Sequence, residues 1–486
     1  MATAPGTISS AGIGSGLDVS SIVSSLMQVE RLPLNTLKTQ ATTMQTRLSA
    51  FGQIQSLASS FRDAATALTK ADSFAMTNSA SSDALSVTAS STTKAIPGSY
   101  LVAVTALSST QSNVSASGQF TAATDVVGSG SITLRLGTWS TGQTAFTPKT
   151  GSADVVIPVG ASEGTLAGIR DKINAANGGV SATVVTDATG SRLALQSTAT
   201  GAENGFRVTV ADDDTVNTDA AGLSRLAFDP PGGANRLGIT QSAANTQATI
   251  NGIAVSTAGN TLTDVVDGMT FNLGKVTTTP ATVTVSRNTD AVKAMLSSFV
   301  TAYNGLNNLL TNVTAYNPAS KQGALLQGDA AATGLQNQLR SMLGGPTGAS
   351  STFGTFSALG VEFQKDGSLK LNDTKVVAAL KNLPELTKAL SNVDAAIPAN
   401  NGLAKKLSAW ADGLLAATGT LPGKAKSLQA QLAANSKDQA QASDRIDAVE
   451  KRIRAQYSAL DRTMSEANGL SRYVQQQITT WNKSTA

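Results

Sequence analysis

The chain has 486 residues, 41% hydrophobic and 14% charged, with a net charge of +4 and neither Cys nor His. At roughly 150 residues per domain this is about three domains, each with enough apolar residues to bury a core. The two missing residue types exclude disulfides, thiolate nucleophiles, sulfur-ligated metals and every Ser-His-Asp or Cys-His arrangement. Hydrolysis would have to rest on carboxylates, Lys or Tyr.

The first 17 residues carry no charge. With no positive n-region and no following apolar stretch, Met1 to Leu17 is not expected to be a cleaved signal, and no apolar run approaches the roughly 20 residues of a membrane span. The Ser/Thr-rich, cysteine-free composition then suggests export by a route that needs no cleaved leader. Asp18 is expected to cap a first helix running to about Arg31, with Ile22, Val23, Leu26 and Met27 on one stripe. Pro33 suits the start of a second helix. That helix carries Leu34, Leu37, Ala41, Met44, Leu48 and Phe51 at spacings of three and four, then Ile54, Ala58, Phe61, Ala65 and Leu68. From Pro33 to Lys70 it would be about 57 Å long at about 1.5 Å per residue, too long to lie across one small core. The stripe needs a partner.

Between Asn78 and Arg287 the pattern changes to short alternating runs cut by Gly, Pro and Asp. Leu85, Val87 and Ala89 alternate, as do Tyr100, Val102 and Val104, Ile132, Leu134 and Leu136, Leu193 and Leu195, and Val283 and Val285, which predicts half-buried strands. A helix is expected from about Thr165 to Ala176, ended by Asn177-Gly178-Gly179. An internal echo, Thr165-Leu166-x-x-Ile169-x-Asp171 against Thr261-Leu262-x-x-Val265-x-Asp267, suggests two related α+β modules.

Asp290 is expected to cap a long helix with Val292, Met295, Leu296, Phe299, Val300, Tyr303, Leu306, Leu310 and Val313 on one stripe. Val361-Glu362-Phe363 and Leu369-Lys370-Leu371 flank Asp366-Gly367, a hairpin signal. Toward the C-terminus Leu428, Leu432, Ala442, Ile446, Val449, Ile453, Leu460, Ala467, Leu470 and Val474 hold a heptad seam interrupted by Asn435, Gln439, Gln456 and Thr463. Two weak seams from opposite ends of the chain make one coil, in which Ile446, Val449, Ile453 and Leu460 are expected to face Leu34, Leu37, Met44, Leu48 and Phe51. The net charge also sits here: ten basic and six acidic residues follow from Lys424 onward. They alternate along the helix, the pattern of a solvated paired face and not of a phosphate-binding tract, so nucleic acid is not an expected partner.

The predicted fold class is multidomain α+β, with a discontinuous helical, coiled-coil domain from both termini and β-rich inserted domains. The expected boundaries are 1–76 with 288–486 for the helical part (coil 18–70 with 424–480), 77–112 with 242–287 for an inner β domain, and 113–241 for an outer one.

Isolated site motifs are weak. Gly12-Ile13-Gly14-Ser15-Gly16 lacks the preceding strand and following Lys of a phosphate loop. Asp213, Thr215, Asn217 and Asp219, beside Asp212 and Asp214, alternate like calcium ligands but lack the required Gly and distal Glu, so an acidic surface turn is the default. Trp139 is read as a core tryptophan, with an exposed contact as the alternative. No carboxylate pair stands out, although spacing alone does not eliminate a glycosidase. No catalytic residue, metal or cofactor is expected.

The terminal motifs carry more. Gly12-Ile13-Gly14-Ser15-Gly16-Leu17-Asp18-Val19, followed by Ile22-Val23, Leu26-Met27, Glu30 and Pro33-Leu34, resembles the opening of the flagellar filament cap, or hook-associated protein 2, family. Ala248-Thr249-Ile250-Asn251-Gly252 with Asn260 to Thr270 is similar to the Ile-Asn motif of that family and of flagellins. Gly328-Asp329, Leu359-Gly360-Val361, Asp366-Gly367-Ser368-Leu369 and Leu371-Asn372 follow its later pattern, while Ala389-Leu390 departs from a common Leu-Phe. The resemblance implies a secreted structural protein at the distal tip of the bacterial flagellum, exported by the flagellar type III apparatus. It implies a ring-like homo-oligomer with helical legs between flagellin subunits and β domains forming a plate, beneath which exported flagellin folds and inserts. It further implies a cytoplasmic export chaperone at the C-terminal region and, in some relatives, adhesion to host mucin. The contact residues inferred for coil, oligomer and flagellin are Ile22, Leu26, Leu34, Leu37, Met44, Leu48, Phe51, Ile54, Phe61, Ile446, Val449, Ile453, Leu460 and Leu470. Two alternatives stand beside this: a phage or cell-surface adhesin on a helical stalk, and another axial component such as a hook–filament junction protein, which Leu17-Asp18-Val19 disfavours.

Overall fold

A computed structural model describes residues 18–484, so the Gly12 to Leu17 motif and the leader before it lie outside the described residues. Helices α1 (Val19–Glu30), α2 (Leu32–Ala67) and α3 (Ala71–Ala75) lead into a strand-rich stretch that also holds α4 (Leu166–Ala175). There follow α5 (Thr289–Thr314), α6 (Ala330–Gly344), α7 (Asp373–Leu380), α8 (Leu383–Ser391), α9 (Leu403–Leu415) and the long α10 (Thr420–Ser484). The chain divides into two compact units, one made of residues up to 71 together with 292 onward, the other of residues 72–291. It is a multidomain α+β protein with a discontinuous helical unit and an inserted β-rich one.

Within the β unit two separate apolar clusters form. The first lies between a five-stranded antiparallel sheet, ordered Thr77–Ser81, Ala281–Arg287, Gly98–Ala106, Thr246–Ile250, Ile253–Thr257, and a three-stranded one. Val102, Val104, Val283 and Val285 point into it because alternate residues of a strand share a face. Asn251 and Gly252, with φ of 49° and 82°, form the two-residue turn of the hairpin from Thr246 to Thr257; both angles demand residues that tolerate the left-handed region. The second cluster is centred on the strand Gly130–Trp139, which pairs with Gly205–Asp212 on one side and with Val155–Val159 and Phe146–Pro148 on the other. Helix α4 covers it with Leu166, Ile169 and Ile173.

Three expectations are corrected here. Leu85 is 84% exposed, because the strand begins only at Val87. The internal echo is not structural: Thr165 is the N-cap of α4, its side chain accepting from Gly168 N, whereas Thr261–Val266 is a strand. The long helix α5 is capped by Asn288, whose Oδ1 accepts from Ala291 N at 2.9 Å, with Asp290 inside the first turn.

In the helical unit α2 buries Phe51, Ile54, Ala58, Phe61, Ala65 and Leu68 along one face. Phe61 lies 5.4 Å from Phe299, 6.3 Å from Tyr303 and 6.4 Å from Trp410 between ring centroids. Tyr303 donates to Gly367 O at 2.8 Å, and burial pushes its hydroxyl up to about 12. Gly367, at φ +81°, closes the expected hairpin of Val361–Phe363 with Leu369–Leu371. Ala389 and Leu390, the departure from the family pattern, are fully buried in α8.

One ion pair ties this core to α10. Asp329 caps α6 by accepting from Ala331 N and Ala332 N, and it meets Lys424 Nζ at 2.8 Å. Burial alone would push its carboxyl up, but Lys424 and the two backbone donors outweigh burial and hold it below the ordinary 3.8. A group whose folded value is depressed contributes stability above its unfolded value and loses it as pH falls through the folded one. Asp329→Asn keeps a capping oxygen and should cost about 1 kcal/mol or less at neutral pH, whereas Asp329→Ala should cost about 1–2 kcal/mol. Urea unfolding at neutral pH and near pH 3 checks both: the gap between wild type and Asp329→Asn must narrow on the acid side.

Candidate functional site: the paired terminal helices

Asp18 starts the site. Its Oδ1 accepts from Ser21 N at 2.9 Å and from Ser20 Oγ at 2.6 Å; the Ser20 hydroxyl, then the Ser21 amide, hold its carboxyl below the usual value. The N–H of Arg31, between α1 and α2, still reaches Met27 O, and Pro33 follows at the second helical position. Pro33 cannot donate to Val29 O, so the helical ladder is interrupted between α1 and α2.

Helix α10 lies antiparallel to both. One anchor is Lys424 Nζ, 5.6 Å from the Phe51 ring centroid; the other is Arg31 at 3.8 Å from Glu450, which also holds Arg454 at 2.8 Å. Between these anchors the half-buried Leu34, Leu37, Met44 and Leu48 share the seam with Leu428, Leu432, Asn435 and Ala442. Beyond them Val19, Val23 and Met27 of α1 form one cluster with Ile446, joined by Leu34, Val449, Ile453 and Tyr457. Asn435 is only 4% exposed and accepts from Gln439 Nε2 at 2.6 Å. A buried polar pair at one seam position costs stability but fixes register.

Opposite ends of the chain thus meet, with a shifted pairing. Ile446, Val449 and Ile453 face α1, not Leu37, Met44, Leu48 and Phe51, because the antiparallel register sets the middle of α10 beside the first helix. Phe51, Ile54 and Phe61, inferred as assembly contacts, are core residues at 2% exposure or less, since α5 and α9 also pack on that stretch of α2. On α1 the buried face is Val19, Val23 and Met27; Ile22 is half-buried and Leu26 is 43% exposed. Leu460 and Leu470 are 47% and 66% exposed on α10, outside the intrachain pairing. Sequence reading missed Val19, one residue past the cap, and the seam role of Tyr457. Its spacing of four from Ile453 was the available signal.

Among the described residues no group of three or more acidic side chains converges as a metal site, and no helix is long and apolar enough to cross a membrane. In the Asp212–Asp219 loop the carboxylates serve local donors: Asp212 accepts from Ser224 N, Asp214 from Val216 N and Asp219 from Ala221 N. Trp139 is half-buried, donates to Phe206 O at 3.0 Å and packs on Phe146 at 4.6 Å.

The site is a helix pairing between opposite ends of a helical unit that a β-rich insertion interrupts in sequence, the architecture of an assembly protein. Family models agree and sharpen this: the flagellar hook-associated protein 2 N-terminus matches residues 15–111, its C-terminus residues 243–469, and the flagellin hook IN motif residues 145–199. Flagellar hook-associated protein 2 of Escherichia coli K12 is 32% identical over 97% of this chain and 98% of its own. The B-type flagellar hook-associated protein 2 of Pseudomonas aeruginosa is 32% identical over 94% of each. The crystal structure of the D1-D2-D3 domains of the flagellar cap protein of Escherichia coli superposes with a TM-score of 0.59 at 27% identity, covering 78% of this chain and 99% of that one. The chain belongs to the flagellar hook-associated protein 2 family.

These matches leave the adhesin alternative without support. The flagellin hook IN match at 145–199 takes in α4, where Ile173 and Asn174 lie. Ile173 is buried, and the Asn174 amide exchanges two hydrogen bonds with Ala182, donating to its O at 2.9 Å and accepting from its N at 2.8 Å. The Asn174 side chain locks α4 to the strand that follows it. Asn174→Ala should cost about 1–3 kcal/mol, because it leaves the backbone groups of Ala182 unpaired; the thermal midpoint of the β unit reports it.

Proposed function

We propose that this chain is the structural cap at the distal tip of the bacterial flagellar filament, where it promotes folding and insertion of exported flagellin and prevents its loss. The supporting observation is the state of α10: its seam is filled by α2 and α1 as far as Tyr457, then continues as an exposed apolar stripe through Leu460, Met464, Val474 and Ile478. An apolar stripe on a helix with so many polar neighbours is built for exchangeable partners in an assembly. The protein works as a ring-like homo-oligomer whose terminal helices are legs against flagellin and whose β unit is the plate, and several weak legs holding at once keep it attached while each changes partner. Leu26, Leu460 and Leu470 are the outward contacts; Ile22, Leu34, Leu37, Met44 and Leu48 hold the leg together.

The same reading puts the protein outside the cell, at the tip of the filament. It gives the exposed end of α10 a cytoplasmic flagellar export chaperone as partner before assembly, and gives the plate host mucin as an external ligand. Complementation of a strain lacking its own cap is the test. Expression of this chain should restore swimming and retain flagellin on the filament; flagellin still shed into the medium, or motility unaffected by loss of the protein, overturns it.

A further inference from the structure

Two arginines face each other across the outer β domain. Arg135 and Arg207 are register partners on the antiparallel strands Gly130–Trp139 and Gly205–Asp212, so both guanidinium groups leave the same sheet face. Like charges directly opposite on a sheet are unfavourable unless something answers them. Arg135 is answered once, by Asp154 at 3.2 Å. Arg207 lies 5.1 Å over the Phe146 ring, and no acid stands within ion-pair distance of it among the described residues. Phe146 is held there because Gly137 leaves room: a Cβ at Gly137 would come within 2.6 Å of the ring. The Nε groups of both arginines are buried without a hydrogen-bond partner.

Charge matching elsewhere in this domain makes the exception plain. Lys149 pairs with Glu203, Arg170 with Asp171, Lys172 with Glu163 and Arg192 with Asp187, while Arg225 lies near Asp125 and Asp212. Arg236 donates to Thr218 O. Residues 113–241 nevertheless hold eleven acids against eight bases, and the surplus is concentrated in the loop after Asp212. Asp213 and Asp214 are exposed there, and Asp213, Asp214 and Asp219 have no cation within ion-pair distance among the described residues.

The loop cannot answer Arg207 of its own chain. Asp212 pairs with Gly130 and Arg207 with Arg135, five residues along the same strand, a separation of about 17 Å. The loop is pinned where it stands by Ser129 on Asp213 and by its own amides on Asp214 and Asp219. We infer that the Arg135–Arg207 pair docks the Asp213–Asp214 loop of a second copy of this chain. Arginine beside arginine presents parallel donors to carboxylates, and Phe146 holds one fork flat against the sheet. Two different patches of one domain that fit each other make a head-to-tail contact, which closes into a ring when the rotation permits. This rests on the ring-forming reading above and adds to it the surface by which the plate domains meet.

Because the chain contains no cysteine, the test has no background. Full-length protein carrying Arg207→Cys with Asp214→Cys is treated with a short bismaleimide and compared with each single variant by denaturing electrophoresis, with native mass measurement of the untreated samples. The double variant should give a ladder of covalent oligomers and the single variants none. Dimers from Arg207→Cys alone would mean a symmetric contact and overturn the proposal. An intact oligomer without a ladder would overturn it while leaving the ring reading in place, and a wild-type protein that stays monomeric would overturn both. Charge reversal supplies a second readout that removes no fold element: Arg207→Glu and Asp213→Lys/Asp214→Lys should each raise the concentration for half-assembly at least tenfold, and their combination in one chain should recover most of it. Weakening by Arg207→Glu with no effect of the loop reversal would assign the arginines to some other acidic partner, against this proposal.

Discussion

Ile446→Asp is expected to abolish capping while leaving the protein folded and exported. Ile446 is 6% exposed and is the α10 member of the cluster with Val19, Val23 and Met27, so a carboxylate there would be buried with no cation inside the cluster. The cost, on the order of 3 kcal/mol or more, falls on the packing of α1 and Leu34 against α10. The core around Phe61 is separate from this cluster, so the main thermal transition should move little. Cells carrying the variant should shed flagellin and fail to swim. Ile453→Asp, half-buried in the same cluster, should show the same defect to a lesser degree. If Ile446→Asp capped filaments and sustained normal swimming, the leg assignment would be wrong.

Phe61→Ala should be the most destabilising single change in the helical unit. The ring contacts Phe299, Tyr303 and Trp410 and is fully buried, so truncation loses both the transfer term and three aromatic contacts and leaves a cavity. The expected loss is about 3–5 kcal/mol, enough to lower the helical melting transition by roughly 10 °C. Phe61→Leu, which refills most of the volume, should cost less than half as much. Thermal unfolding followed by far-ultraviolet circular dichroism separates the two variants; equal midpoints for wild type and Phe61→Ala would mean that this cluster is not the core.

The architecture was legible in the sequence where periodicity was strong. The stripe from Leu34 to Leu68 and the heptads after Leu428 predicted that the termini meet, and alternation at Tyr100, Val102 and Val104 or at Val283 and Val285 located strands. Register was not legible, because heptads slide by seven without changing their apolar pattern; Arg31 with Glu450, Lys424 over Phe51 and the buried Asn435 fix it. Nor could a stripe distinguish seam from core. Phe51, Ile54 and Phe61 continue the same spacing as Leu34 and Leu37, yet α5 and α9 cover one part and not the other. The echo at Thr165 and Thr261 failed for a related reason: a short string carries helix in one place and strand in another according to what it packs against. Asn174 escaped notice because its partner, Ala182, is a backbone segment that no side-chain pattern advertises.

The strand Thr77–Ser81 pairs antiparallel with Ala281–Arg287, with Thr77 opposite Arg287. Where the chain enters and leaves the β unit, its two passages therefore lie one strand spacing apart, about 5 Å. For α2 to find α10 in an unstructured chain, a loop of hundreds of residues would have to close, at an entropic cost that slows long-range pairing. Once the insertion has folded, the residues between Thr77 and Arg287 drop out of that loop, and what remains to close between α2 and α10 is the stretch that holds α5 to α9, which starts its search from a tether beside the end of α2. Folding order is thereby built into the connectivity: a mutation that unzips Thr77 from Arg287 should slow the refolding of the helices, although none of their residues has changed.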